Sequence, residues 1–323
     1  MPLFAALRCV AAVLAASLLA ASPTLAGTVG EIVRHSLTDY CSRDTQVTAA
    51  EQDRLLRFAA AARQLLEGSQ KPLALVSRSG LNLQRFEQRY SHAGLALREG
   101  AELPWAVRQL YFDCTERRPR LFDQGLAGFV MGNDERERGF LSLLLLPSGA
   151  ASDALLRAAV DIPLATSLVA SQYSANAHAF SLHFQNCNQW LAELLGTAWL
   201  AEPLIGQPFT AHPALKPRAA AQARLRELGY EAQAIPVRPA WLLPIAQWLP
   251  LLHLSDHPPA DLEAATLRVS MPSAIEAFVA AQLPGTERIE LCHSAQHIVV
   301  RRNGPPLSER CLAQEGDTVI PLD

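Results

Sequence analysis

An α+β fold, with an antiparallel sheet packed against one cysteine-bearing helix, is what this 323-residue sequence predicts. Three observations lead there. The alternating segments SHAGLAL (91–97) and WAVRQLYF (105–112) are joined by the turn-forming REGAELP and read as an antiparallel pair. The apolar run FLSLLLL (140–146) has the length of a buried strand, not of a membrane span. After Cys187, Trp190, Leu191, Leu194 and Leu195 recur at the spacing of an amphipathic helix.

Residues 1–26 have the pattern of an export signal. Arg8 supplies positive charge, CVAAVLAASLLAA the short apolar region, and SPTLA a cleavage point near Ala26. The expected location is therefore periplasmic or secreted. Cys9 lies inside the apolar run, where it makes a poor lipid anchor. A capping box, Thr48-Ala-Ala-Glu51, then opens a helix carried by Leu55, Leu56, Ala59, Ala60 and Leu66 to about Glu67.

LALVS (73–77) reads as a strand and RSGLNLQRFEQRY as its connector. The Gly-rich, charged DQGLAGFVMGNDERERG reads as a loop before the apolar strand, which Pro147, Ser148 and Gly149 end. A helix from Ser152 to Val160 follows, then a polar loop with Tyr173, Asn176 and His178, then the Cys187 helix.

Beyond Pro203 the pattern predicts a basic, Ala-rich helix (217–228) stopped by Gly229. The proline-broken PAWLLPIAQWLPLLHL (239–254) is expected to pack over the core. A strand, a helix (Ser273 to Gln282) and the strands RIELCH and HIVVRR close the chain. A boundary at SDHPPAD, near 255–260, divides a main domain (27–254) from a small α+β extension (255–323).

Half the residues are apolar and mean hydropathy is +0.09, which fits a packed globular chain and not a disordered one. The formal charge of -3, without a basic stripe, excludes the usual nucleic-acid binders. There is no Gly-x-Ser-x-Gly elbow, no His-Glu-x-x-His helix and no phosphate loop. His178 and His183 with Cys187, and Cys292 with His293 and His297, lack the paired spacings of a zinc site. No metal or cofactor is expected.

The chain has six cysteines. Removing Cys9 with the signal leaves five, so one thiol is left over in an oxidising compartment. Cys41 with Cys114 and Cys292 with Cys311 is the simplest pairing, although spacing leaves other connectivities open. On that pairing Cys187 is free.

Asn186 is a good N-cap, which places Cys187 in the first helical turn, where unpaired amides and the helix dipole favour a thiolate. An inert core cysteine has the same pattern, so a partner must decide. Alternation groups His92 with Gly94 and Ala96, and Gln109 with Trp105, Val107 and Tyr111. A buried amide such as Gln109 must find partners, and orienting an imidazole on the next strand is one way. Asn186 and Asn188 read first as local caps and second as support for an oxyanion at the Cys187 amide.

A small residue, His, a short aliphatic strand, a second strand with a polar residue, and much later Asn-Cys opening a helix resemble the circularly permuted papain-like superfamily. That superfamily includes NlpC-type cell-wall hydrolase relatives and the lecithin:retinol acyltransferase group. YSHAGLAL with FQNCNQWLAELL is most similar to an uncharacterised family of exported bacterial proteins within it. The resemblance covers about residues 70–200 and implies a permuted papain-like core with extra N- and C-terminal elements.

It further implies Cys187 as nucleophile, His92 as general base and Gln109 as the third polar residue, where many relatives carry His. The expected activity is that of an exported thiol hydrolase or acyltransferase acting on an amide or ester through a thioester. Envelope peptides and lipid acyl groups are the expected substrates. A non-catalytic envelope-binding protein on the same fold is the alternative, and an intermolecular disulfide through Cys187 a third reading.

Overall fold

The computed structural model describes residues 47–98, 104–132, 137–200, 217–246, 248–249 and 251–322. Residues 46–247 with 251–323 form the compact unit that holds everything that follows. The expected signal segment and Cys41 lie outside the described residues.

In chain order the elements are α1 (Ala49–Gly68), β1 (Leu73–Arg78), β2 (His92–Leu97), β3 (Ala106–Asp113), β4 (Arg118–Gly125), α2 (Leu126–Met131) and β5 (Gly139–Leu145). Next come α3 (Ala150–Val160), α4 (Ile162–Ser167), β6 (Gln172–Tyr173), β7 (Phe184–Gln185), α5 (Cys187–Ala198), α6 (Pro217–Glu227) and β8 (Gln233–Pro236). The remainder is α7 (Leu242–Ala246), α8 (Pro259–Glu263), β9 (Thr266–Val269), α9 (Pro272–Gln282), β10 (Glu287–His293), β11 (His297–Arg302) and β12 (Thr318–Pro321). The architecture is mixed α+β, built on one large sheet.

That sheet has eight strands in the order β12-β11-β10-β5-β1-β2-β3-β4, and every neighbouring pair is antiparallel. The region 255–323 supplies three of the eight, inserted beside β5. Both faces of the sheet are covered. On one, Leu75, Leu95, Leu97 and Leu144 pack against Trp190, Leu191 and Leu194 of α5 and Leu155 of α3. On the other, Val76, Ala96, Val107 and Leu143 pack against Phe58 of α1 and Phe129 of α2.

Covering both faces explains why β1, β2 and β5 are buried at every position and why β5 reads as an unbroken apolar run. Each such leucine contributes roughly 1.5–3 kcal/mol by leaving water. The Thr48–Glu51 capping box opens α1 as the sequence predicts.

Two expectations change. The segment read as a Gly-rich loop instead holds the end of β4 and all of α2, whose Leu126, Phe129 and Val130 are buried. The helix after Cys187 is also not amphipathic toward solvent, because all twelve residues of α5 are buried. Its polar side faces α6, where Glu193 receives Arg218 at 2.7 Å and Gln222 at 2.7 Å. A buried carboxylate so paired fixes α5 from behind. Among the described residues, no helix is long and apolar enough to cross a membrane.

Candidate active site

The start of α5 follows the capping logic of its sequence. Asn186 has extended backbone and its side-chain oxygen accepts the Gln189 amide at 2.7 Å. Cys187 is the first helical residue, free and buried. The sulfur is met by the Tyr173 hydroxyl and the Asn188 amide, both of which favour a thiolate. Burial outweighs them and pushes the thiol up to about 11. The helix-start argument therefore points the right way, but desolvation is larger.

His92 opens β2 and is also buried. One ring nitrogen, Nε2, lies 2.6 Å from the Gln109 side-chain oxygen, and Gln109 Nε2 donates to Gln124 at 2.9 Å. An amide oxygen only accepts, so Nε2 of His92 carries the hydrogen and Nδ1 of the neutral ring keeps its lone pair. Tyr111 (ring centroids 4.6 Å apart) and Phe129 (5.9 Å) complete the wall around the imidazole. Burial, and then the nearby charge of Arg78, lower His92 to about 3. At neutral pH the resting pair is thiol and neutral imidazole.

Residues 92, 94 and 96 lie on the α2 face of the sheet, whereas α5 packs on the face of 93, 95 and 97. The cysteine and histidine regions meet where β2 begins. There the Asn188 side chain accepts the Ala93 amide at 3.0 Å and donates to the Ser91 carbonyl at 3.2 Å. The residue after Cys187 thus grips the backbone on both sides of His92. The protein hydrogen bonds to the sulfur come from Tyr173 and the helix amides, and those of the His92 ring from Gln109.

Asn186 and Asn188 accordingly serve as cap and clamp. Gly94 serves the sheet itself: a Cβ there would meet Val107 at 2.7 Å and the Arg108 carbonyl at 2.9 Å, on β3. It lets β2 and β3 close up, which keeps Gln109 within reach of His92.

The expected bridge between Cys292 and Cys311 is present, joining residues 19 apart. Cys114 is also disulfide-bonded, and its expected partner Cys41 lies outside the described residues. Among the described residues, no group of three His, Cys, Asp or Glu side chains could hold a metal ion. The proline-broken segment buries Leu243 against Leu267, Val269 and Met271. It also borders a cavity of about 570 Å³ lined by Leu243, Leu252, His253 and Leu254. His253 stacks on Phe184 (4.2 Å), three residues before Cys187.

Sequence reasoning missed Arg78, Gln124, Phe129 and the part played by Tyr173. Arg78 was within reach of inspection, being the cation that ends the buried strand LALVSR. Its position opposite His92 depends on a register that the long connector hides.

No curated protein and no solved structure matched the chain. A family profile described as "Uncharacterized protein conserved in bacteria (DUF2145)" matches residues 65–279, about two thirds of its length. That span runs from the end of α1 through the His92 strand and the Cys187 helix to α9. The chain belongs to this bacterial family.

Proposed function

We propose that this protein is a thiol hydrolase or acyltransferase on a permuted papain-like core, with Cys187 as nucleophile, His92 as general base and Gln109 as the orienting amide. One observation carries the reading: the Gln109 bond leaves His92 Nδ1 as the basic nitrogen, on a strand gripped by the residue next to Cys187. The order of His before Cys, the antiparallel strands and the helix opened by cysteine all support the permuted arrangement.

In this mechanism the sulfur adds to an amide or ester carbonyl as its proton passes to His92 Nδ1. Collapse of the tetrahedral adduct expels the amine or alcohol, which takes that proton, and leaves a thioester on Cys187. Water or an acceptor then attacks the thioester with His92 again as base. Because the resting pair is neutral, proton transfer accompanies attack and does not precede it. Tyr173 and the Asn188 and Cys187 amides are donors to the reacting sulfur.

The Cys292–Cys311 bridge supports work in an oxidising compartment, and envelope peptides or acyl lipids are the substrates this reading favours. The test is acylation by p-nitrophenyl acetate, followed by intact mass after acid quench. A single acetyl group mapping to Cys187, absent in Cys187→Ala and slowed at least tenfold in His92→Ala, supports the reading. Unmodified Cys187 in a folded protein overturns it.

The neutral resting pair, together with Gln109 where many members of the resembled superfamily carry His, favours a second reading as a non-catalytic envelope-binding protein. Saturable binding of a wall or lipid fragment, unchanged by Cys187→Ala and without an adduct, would select it.

A further inference from the structure

Four arginines are nine-tenths or more buried: Arg78, Arg108, Arg218 and Arg301. Three have a carboxylate partner. Arg108 pairs with Asp123 at 2.5 Å, Arg218 with Glu193 at 2.7 Å and Arg301 with Asp317 at 2.7 Å. Arg78 is the exception. Its Nη1 donates to the Gly132 carbonyl at 2.5 Å and the Ser79 carbonyl at 3.2 Å, and its Nη2 to the Tyr111 hydroxyl. Its Nε is buried without a hydrogen-bond partner among the described residues. No carboxylate pairs with it among the described residues.

A buried guanidinium left without a counter-charge is costly, and proteins keep one where something else supplies the anion. The surroundings are built to hold this group. A Cβ at Gly80 would meet Arg78 Nη1 at 2.6 Å, and one at Gly132 would meet Nη2 at 2.6 Å, so both glycines leave room for the guanidinium. The ring of Phe129 lies 5.4 Å from its Cζ, a cation–π wall shared with His92.

Its place in the sheet gives the cation its meaning. Arg78 is the direct cross-strand partner of His92 in the β1–β2 pair, on the same face. Tyr111 touches both, through its hydroxyl to Arg78 and its ring to His92. The charge of Arg78 also acts on Cys187. This cation, without a carboxylate partner among the described residues, therefore belongs to the candidate active site.

We infer that Arg78 is an anion subsite, and that the substrate carries a carboxylate close to the bond that Cys187 attacks. A planar carboxylate suits the guanidinium fork, and Nε is the donor that remains to be satisfied. The inference rests on the reading of Cys187 as nucleophile for its position, but the anion subsite can be tested separately. Burial is the larger cause that keeps His92 from taking a proton and the charge of Arg78 the smaller, so a carboxylate beside Arg78 would relieve the smaller part and raise the basicity of His92.

Two measurements on the full chain test this. The first compares alkylation of Cys187 by iodoacetate and by iodoacetamide at pH 8.5, reagents alike except for charge, with glutathione as the reference thiol. An attraction at Arg78 should raise the iodoacetate-to-iodoacetamide rate ratio about tenfold over that of glutathione. Arg78→Gln should return it to the glutathione value, and Arg78→Lys should keep part of the gain. A wild-type ratio at or below that of glutathione overturns the subsite.

The second needs neither a variant nor a reactive thiol. Glutarate, but not glutaramide at matched ionic strength, should raise the melting temperature of the wild type saturably. Equal effects of the two, or none, overturn the inference. A glutarate-specific shift without an acyl adduct would keep the subsite and remove the enzyme. An acyl adduct without carboxylate preference would do the reverse.

Discussion

His92 donates its Nε2 hydrogen to the side-chain oxygen of Gln109 at 2.6 Å, and that bond fixes which nitrogen of the ring is basic. Gln109 is fully buried and also donates to Gln124, so it has no freedom to turn away. Gln109→Leu should strand the His92 N–H and the Gln124 oxygen, at a cost of about 1–3 kcal/mol for a buried unsatisfied group. Urea unfolding reads that loss, and acetylation of Cys187 should slow with it. If neither changes, the ring is held by something other than this amide.

The thiol at about 11 makes a clear claim about labelling. Because only the thiolate is alkylated, the rate of iodoacetamide labelling should climb about tenfold per pH unit from pH 6 to 9. Mass-mapped rates at Cys187 check this directly. A plateau beginning below pH 8 would instead reveal a pre-formed thiolate–imidazolium pair.

Stability should also fall in acid, with a sign that follows from His92. Its folded-state value near 3 lies below the ordinary 6.5, so the unfolded chain takes up a proton first as pH drops. The loss begins near pH 6.5 and continues to about pH 3. His293, lowered to about 4 by burial, contributes in the same direction. Each fully depressed group adds a slope of up to about 1.4 kcal/mol per pH unit. His92→Gln should have a visibly shallower dependence between pH 6 and 4, and identical slopes would mean the imidazole is solvated.

Asn188→Ala tests the clamp. Removing both bonds to β2 should cost about 1–3 kcal/mol, since the Ala93 amide is left buried and unpaired. Hydrogen exchange at Ala93 should accelerate more than at Leu95, which lies inside the sheet. Uniform acceleration along β2 would indicate general loosening.

The site was partly legible because its two key elements announce themselves locally. A helix start is encoded within a few residues, so Asn186 and Cys187 were readable from the cap alone. Alternation likewise put His92 and Gln109 on faces that could meet. Arg78 and Tyr173 were not readable as parts of the site, because their places come from pairings across long connectors. The pKa direction at Cys187 was missed for a related reason: capping is local, but burial of all twelve helix residues depends on α6 and the sheet. α2 was hidden by the glycines in and around it, and Gly132, its C-cap, leaves room for Arg78.

The position of β5 in the sheet has a practical consequence. The family profile ends at residue 279, but β10, which begins at Glu287, is the strand that pairs with β5. A fragment cut to the family's limits would leave Gly139–Leu145, buried and almost wholly apolar, as a raw edge with unpaired amides. Such an edge is a template for joining other chains, so the trimmed fragment should precipitate or assemble edge to edge. Expression of this chain therefore needs the last strands included, even though they fall beyond the family profile.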